Sequence, residues 1–273
     1  MSDYGWYPGH MAKTRRMMLE DLKLVDLVIE LVDARIPVSG RNPDIDTLCG
    51  NKPRILVFTK ADLADPAQTE AFAAHYSALG TPVLTADARV RNAVSKVKKQ
   101  AVAACSEKIE RDRKRGIIGR PLRAMVVGIP NVGKSTFINS FVGKASAKTG
   151  NKPGVTRGKQ WIRGDRELEL LDTPGILWPK YEDPEVGVKL ALTGAIREEI
   201  LDADDLTLHL LRYMNALYPG LLMEKYGGDD VASIAAARNL LRAGGEPDRI
   251  RTQNLLLNDL KNGKTGRITL DRI

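Results

Sequence analysis

Two kinds of hydrophobic patterning run along the chain. "VDLVIELVD" (25–33) is almost continuously apolar, as a strand buried on both faces must be; "RILVFT" (54–59), "PVLT" (82–85) and "RAMVVG" (123–128) read the same way. "KQWIRG" (159–164) and "ELELLD" (167–172) alternate like a strand pair. Between these lie helical stretches. Met11, Met18, Leu22 and Val25 recur at helical spacing in 11–24, a helix is expected near 66–79, and one long basic helix is expected over 90–114. Strands mixed with helices predict an α/β fold with a doubly wound, mostly parallel sheet.

The texture changes after about residue 178. "DPEVGVKLALTGAI", "DDLTLHLLRYMNAL", "DVASIAAARNLLRAG" and "DRIRTQNLLLNDLKNG" have helical spacing and begin with Asp, a favoured N-cap. This predicts two units: an α/β domain over 1–177 and a small all-helical domain over 178–273. The 273 residues are enough for that division.

Composition narrows the class. No apolar run reaches the ~18 residues of a membrane span, and "MSDYGWYPGHMAKTRRMM" has no apolar signal region, so neither a membrane protein nor a secreted one is expected. Only Cys49 and Cys105 occur, without metal-ligand spacing, which fits a reduced, cytoplasmic protein. The net charge of +8 favours an anionic partner such as nucleic acid. Twelve Lys and Arg fall within 89–123, against Glu107, Glu110 and Asp112. That stretch is either a solvated helix face or part of an RNA surface. Aromatic residues make up only 5%, so a base-stacking platform is not indicated, and duplex backbone or shape recognition is the RNA mode to expect.

The chemistry sits in three motifs. "GIPNVGKS" (128–135) fits G-x-x-x-x-G-K-[ST], directly after an apolar strand and at the start of a helix. Its glycines let backbone N–H groups wrap a phosphate, and the helix start adds its positive end. Asn131, Val132, Gly133, Lys134, Ser135 and Thr136 are the candidate phosphate contacts. Lys134 is expected on the β/γ-phosphates and Ser135 on Mg²⁺. "LLDTPG" (170–175) ends a strand in Asp-x-x-Gly: Asp172 would hold Mg²⁺ through water, and the Gly175 N–H would meet the γ-phosphate. Thr156 in "KPGVTRG" lies between these motifs, where a switch threonine would close on Mg²⁺ and γ-phosphate.

"TKAD" (59–62) resembles the Asn-Lys-x-Asp base reader of GTPases, with Thr59 in place of Asn. Lys60 would lie along the base plane, and Asp62 would accept from guanine N1–H and its exocyclic amine. Adenine offers neither donor, so GTP is favoured over ATP. Thr85 and Ala86, after the next strand, are candidates for the backbone N–H to the guanine oxygen. The order is unusual, because the base reader precedes the phosphate loop. Counting strands resolves this. If 123–128, 159–164 and 167–172 serve as the first three strands of a Ras-like domain, and 25–32, 54–58 and 82–85 as the last three, every motif falls in place. The parts are complete and circularly permuted.

That motif order, "DARIPVSGRNP" (33–43) and "YPGHMAK" (7–13) resemble the ribosome biogenesis GTPase A family, the YlqF type of circularly permuted GTPase. The resemblance covers the GTPase domain well and the helical tail more loosely. It implies a permuted Ras-like domain of six strands, a C-terminal helical domain, GTP hydrolysis with Mg²⁺, and a role in late assembly of the large ribosomal subunit, with its rRNA as partner. A monomer off the ribosome is expected. The competing reading is a nucleotide-gated RNA- or protein-binding module with incidental hydrolysis.

Two catalytic devices are expected in place of the water-orienting Gln, whose position holds Ile176. The permutation places the N-terminal helix in the slot that usually follows the switch. His10, at its start, would then position the water; the plain alternative is a residue of a frayed terminus. The family is similar in having this histidine proposed for catalysis. Asn131 is the second: at this loop position an Asn ligates K⁺ near the β/γ-phosphates in several GTPases lacking the Gln, acting like an arginine finger. Its alternative is a loop-stabilising role.

Overall fold

A computed structural model describes residues 16–85, 91–142, 160–163, 167–173, 175, 177–178, 183–196 and 202–273. Its centre is a six-stranded sheet of β1 (Leu27–Asp33), β2 (Arg54–Thr59), β3 (Val83–Thr85), β4 (Leu122–Val127), β5 (Gln160–Arg163) and β6 (Leu168–Asp172). All six lie where the hydrophobic pattern put them. The spatial order is β3-β2-β1-β4-β6-β5, and only β5 runs antiparallel to its neighbour. Counting β4 to β6 first and β1 to β3 last turns this into 2-3-1-4-5-6, a doubly wound order with the phosphate-loop strand near the middle.

Strand periodicity of two sends successive side chains to opposite faces. Leu27, Ile29 and Leu31 of β1 therefore join one core with Val97 and Ala101 of α4 (Arg91–Ala104) and with Phe137 and Ile138 of α6 (Lys134–Val142). On the other face Val28 meets Met18, Leu22 and Val25 from helix α1 (16–22) and the turn after it, while Val32 meets Phe72 and Tyr76 of α3 (Pro66–Ala78). α3 starts as its sequence dictates: Asp65 accepts from the N–H groups of Ala67 and Gln68, with Pro66 at the first position. A short helix α2 (Asp44–Cys49) after "DARIPVSGRNP" was not predicted.

The expected single helix over 90–114 is two helices. α4 stops at Ala104 and α5 (Ser106–Lys114) begins after Cys105, whose buried side chain packs with Val97 and Ala101 in the core. The pattern explains the break. α4 needs its apolar face on the sheet, whereas α5 has no buried residue and runs on into solvent.

The C-terminal part contains α7 (Pro184–Leu192), α8 (Ala203–Leu217), α9 (Leu221–Tyr226), α10 (Val231–Ala237) and α11 (Arg249–Lys261). Asp183, Asp202, Asp230 and Asp248 cap α7, α8, α10 and α11. α10 is shorter than its periodicity suggested. Asn239 adopts a left-handed φ of 55°, and Leu241 then pairs with Pro247 across a turn. Buried residues of these helices, such as Leu190, Leu210 and Leu256, belong to the same apolar cluster as one face of the sheet. After α11 the chain returns to the carboxyl end of β1 and β2: the N–H groups of Ile268 and Leu270 donate to the carbonyls of Leu63 and Arg35. Among the described residues no helix is long and apolar enough to cross a membrane.

Candidate functional site

The register of the parallel strands brings the motifs to one edge. Asp33 stands opposite Thr59, Glu30 opposite Val127, Val126 opposite Asp172, and Phe58 opposite Thr85. The carboxyl ends of β1, β2, β3, β4 and β6 thus point the same way, which is where open α/β sheets place ligands.

The phosphate loop leaves β4 at Gly128. A side chain there would drive its Cβ to 2.8 Å from the Leu31 carbonyl oxygen, so the loop can cross β1 only as glycine. Asn131 has φ 57° and Gly133 φ 100°, left-handed values that suit these two residue types. Two successive turns of this kind orient N–H groups toward one concavity. α6 opens at Lys134, with the Phe137 N–H donating to the Gly133 carbonyl at 2.9 Å. Ser135 and Thr136 are half-buried in its first turn, and Val132 is buried.

Lys134 lies across the motif boundary. Its buried ammonium donates to the Thr173 carbonyl and stands 3.8 Å from an Asp172 carboxylate oxygen. Burial pushes it down to about 8, against the pull of Asp172. Gly175 closes the same contact from the switch side: a Cβ there would sit 2.9 Å from Pro130 Cα, so the Asp-x-x-Gly backbone rests directly on the phosphate loop. A hard hydroxyl and a hard carboxylate, Ser135 and Asp172, are a donor set suited to Mg²⁺, which takes few protein ligands and completes its shell with phosphates and water. Among the described residues there is no group of three or more His, Cys, Asp or Glu that could hold a metal ion.

Thr59 joins the base-reader motif to the phosphate loop. Its buried hydroxyl donates to the Val132 carbonyl at 2.6 Å. Lys60 follows with φ 53° and places its ammonium 3.0 Å from Asp33. Asp62 is exposed at the rim, and Thr85 is exposed at the end of β3. Asn131 reaches elsewhere than a nucleotide motif: its side-chain N–H donates to the Gly194 carbonyl at 2.7 Å, beyond α7. His10, Ala86 and Thr156 lie outside the described residues.

Sequence reasoning missed the support beneath this loop. Both Asp33 carboxylate oxygens are engaged by Arg35, at 3.0 Å from Nε, 3.0 Å from the backbone N and 2.8 Å from Nη2, and Lys60 adds a fourth donor. Burial alone would raise the Asp33 carboxyl, but the charges of Arg35 and Lys60 and the Arg35 hydrogen bonds hold it well below the usual carboxylate range. Arg35 also donates to the Thr193 carbonyl at 3.3 Å. The signal was present as a charged Asp-Ala-Arg at the end of an otherwise apolar strand. Periodicity gives no partner for such charges.

Residues 123–235 match a family model described as 50S ribosome-binding GTPase. Over 275 residues the chain is 46% identical to ribosome biogenesis GTPase A of Priestia megaterium, covering 97% of this chain and 96% of that protein. The chain belongs to the ribosome biogenesis GTPase A family. A second member, from Bacillus cereus, is 44% identical over 97% of this chain and 93% of its own length. The crystal structure of GNP-bound YlqF from Thermotoga maritima superimposes with a TM-score of 0.66 at 26% identity, covering 95% of this chain and 98% of that one. In this ribosome biogenesis GTPase, then, the Thr59–Val132 hydrogen bond links the Thr-Lys-Ala-Asp turn after β2 to the phosphate loop after β4.

Proposed function

We propose that this GTPase assists late assembly of the large ribosomal subunit, binding it with GTP and leaving after hydrolysis. The observation that carries the nucleotide part is the meeting of three motifs at one sheet edge: Thr59 on Val132, Lys134 on Thr173, and Gly175 on Pro130. The large-subunit part is supported by the family description matched by residues 123–235.

In this reading Asp62 accepts from guanine N1–H and the exocyclic amine, Lys60 lies along the base, and the N–H groups after Thr85, including that of Ala86, serve the guanine oxygen. Asn131 to Thr136 wrap the phosphates. Ser135, Thr156 and Asp172 would hold Mg²⁺, which supplies charge neutralisation on the β- and γ-oxygens. Gly175 meets the γ-phosphate, and Asn131 would ligate K⁺ once released from Gly194. His10 positions the attacking water. Residues 1–177 form the nucleotide unit and 178–273 the helical, ribosome-contacting unit. The exposed Arg111, Arg113, Lys114, Arg115 and Arg120 offer a phosphate-backbone surface. The site of action is the cytoplasm.

The test is GTP turnover in K⁺ buffer with purified large subunits, with small subunits as control. Intrinsic turnover on the order of 10⁻⁴–10⁻² s⁻¹ is expected, rising steeply with large subunits alone. Stimulation by neither subunit removes the large-subunit assignment and favours a nucleotide-gated binding module.

A further inference from the structure

The loop that carries Asp62 is held from outside by the far end of the chain. Arg267 donates from Nε to the Ala64 carbonyl at 3.0 Å and from Nη2 to the Ala61 carbonyl at 2.9 Å. The next residue, Ile268, donates its N–H to the Leu63 carbonyl at 3.0 Å. Three of the four carbonyls over 61–64 therefore accept hydrogen bonds from two adjacent C-terminal residues. The loop has reason to need this brace. Lys60 sits in the left-handed region at φ 53°, a conformation a lysine adopts only when its surroundings impose it. Asp62 itself is exposed at the rim of the site.

The brace is anchored independently of Arg267. Asp271 accepts from the N–H groups of Val38 and Ser39 at 2.8 Å each and from the Ser39 hydroxyl at 2.7 Å, and pairs with Lys189 at 2.9 Å. The Thr269 N–H donates to the Tyr218 hydroxyl at 2.8 Å. The segment stays in place without the guanidinium, and what the guanidinium adds falls on the Ala61–Asp62 and Ala64–Asp65 peptide groups, at the two ends of the turn that carries Asp62.

We propose that Arg267 is a positioning residue for guanine specificity: by gripping the Ala61 and Ala64 carbonyls it fixes the backbone from which Asp62 meets the base. Two hydrogen bonds from a planar, forked group fix direction as well as distance, which a single ammonium cannot do. A carboxylate that must accept two N–H groups at once is sensitive to such rotation, and loses the second bond first. The proposal rests on Asp62 being the base reader.

The test compares the affinities of GDP and inosine diphosphate, which lacks the exocyclic amine, for the full chain by competition against a fluorescent guanine nucleotide. Arg267→Ala is expected to lower the preference for GDP over inosine diphosphate by about tenfold, the equivalent of one well-aligned hydrogen bond. Arg267→Lys restores part of it by reaching one carbonyl. A residue of merely structural value would weaken both nucleotides equally and leave the ratio unchanged. Thermal melts report folding, and Arg267→Lys reads the same ratio should the alanine variant not fold. Asp62→Asn in the same assay separates the two readings. A ratio that collapses in Asp62→Asn but holds in both Arg267 variants overturns the role of Arg267 alone. A ratio unchanged in Asp62→Asn overturns the base-reader assignment beneath it.

Discussion

The Thr59 hydroxyl donates to the Val132 carbonyl at 2.6 Å, joining residues 73 apart in sequence and belonging to two different nucleotide motifs. Thr59 opens Thr-Lys-Ala-Asp, the proposed base reader, at the position where the motif commonly has Asn. It supplies a side-chain donor to the phosphate loop from a buried β-branched residue.

Thr59→Val removes that donor at nearly constant volume. The Val132 carbonyl loses its partner, at a cost of about 1–3 kcal/mol. Because the bond ties the two loops together, GDP affinity should fall roughly tenfold. Titration of the variant with a fluorescent nucleotide checks this; unchanged affinity would show that the loops are positioned separately.

Asp33→Asn should be costly to the fold. It strips the counter-charge from Arg35 and Lys60 at a buried strand end, which typically costs about 3–5 kcal/mol. Urea denaturation reads the change. A midpoint equal to the unaltered protein's would mean that water reaches Arg35.

Nucleotide binding above neutral pH should take up protons. Lys134 stands at about 8 because of burial, below its ordinary 10.5, and phosphates would raise it again. For folding alone the sign is opposite. The unfolded chain binds the proton more tightly, so this group's penalty is full below about 8 and disappears toward 10.5. Calorimetry of GDP binding at about pH 8.5, in buffers of different ionisation enthalpy, should give uptake of at most about one proton per nucleotide. Heats independent of buffer would show that Lys134 stays charged throughout.

His10→Ala should abolish most of the turnover stimulated by large subunits while leaving GTP affinity unchanged. Single-turnover assays on the subunit, alongside nucleotide titration, separate the two. Full stimulated turnover in the variant eliminates the histidine as the water-positioning group.

Turnover should be faster in KCl than in NaCl at matched ionic strength, and Asn131→Ala should erase the difference. The same variant loses the 2.7 Å bond to Gly194, so its melting temperature is read in parallel. Equal rates in both salts for the unaltered protein rule out a K⁺ site.

The sequence alone determined the six strands, the permuted order and the positions of the three motifs. Apolar runs and loop signatures are local, and each is written in neighbouring residues. The capping aspartates of α7, α10 and α11 were legible for the same reason. The tertiary structure decided what no local pattern encodes: which distant partner satisfies each polar group. Only the fold shows that Asp33 gathers Arg35 and Lys60, that Asn131 reaches Gly194, that Cys105 divides the basic helix, and that Arg267 grips a loop 206 residues away in sequence. Buried charges and carbonyls must find partners wherever the chain brings them, and that choice is made by packing rather than by periodicity.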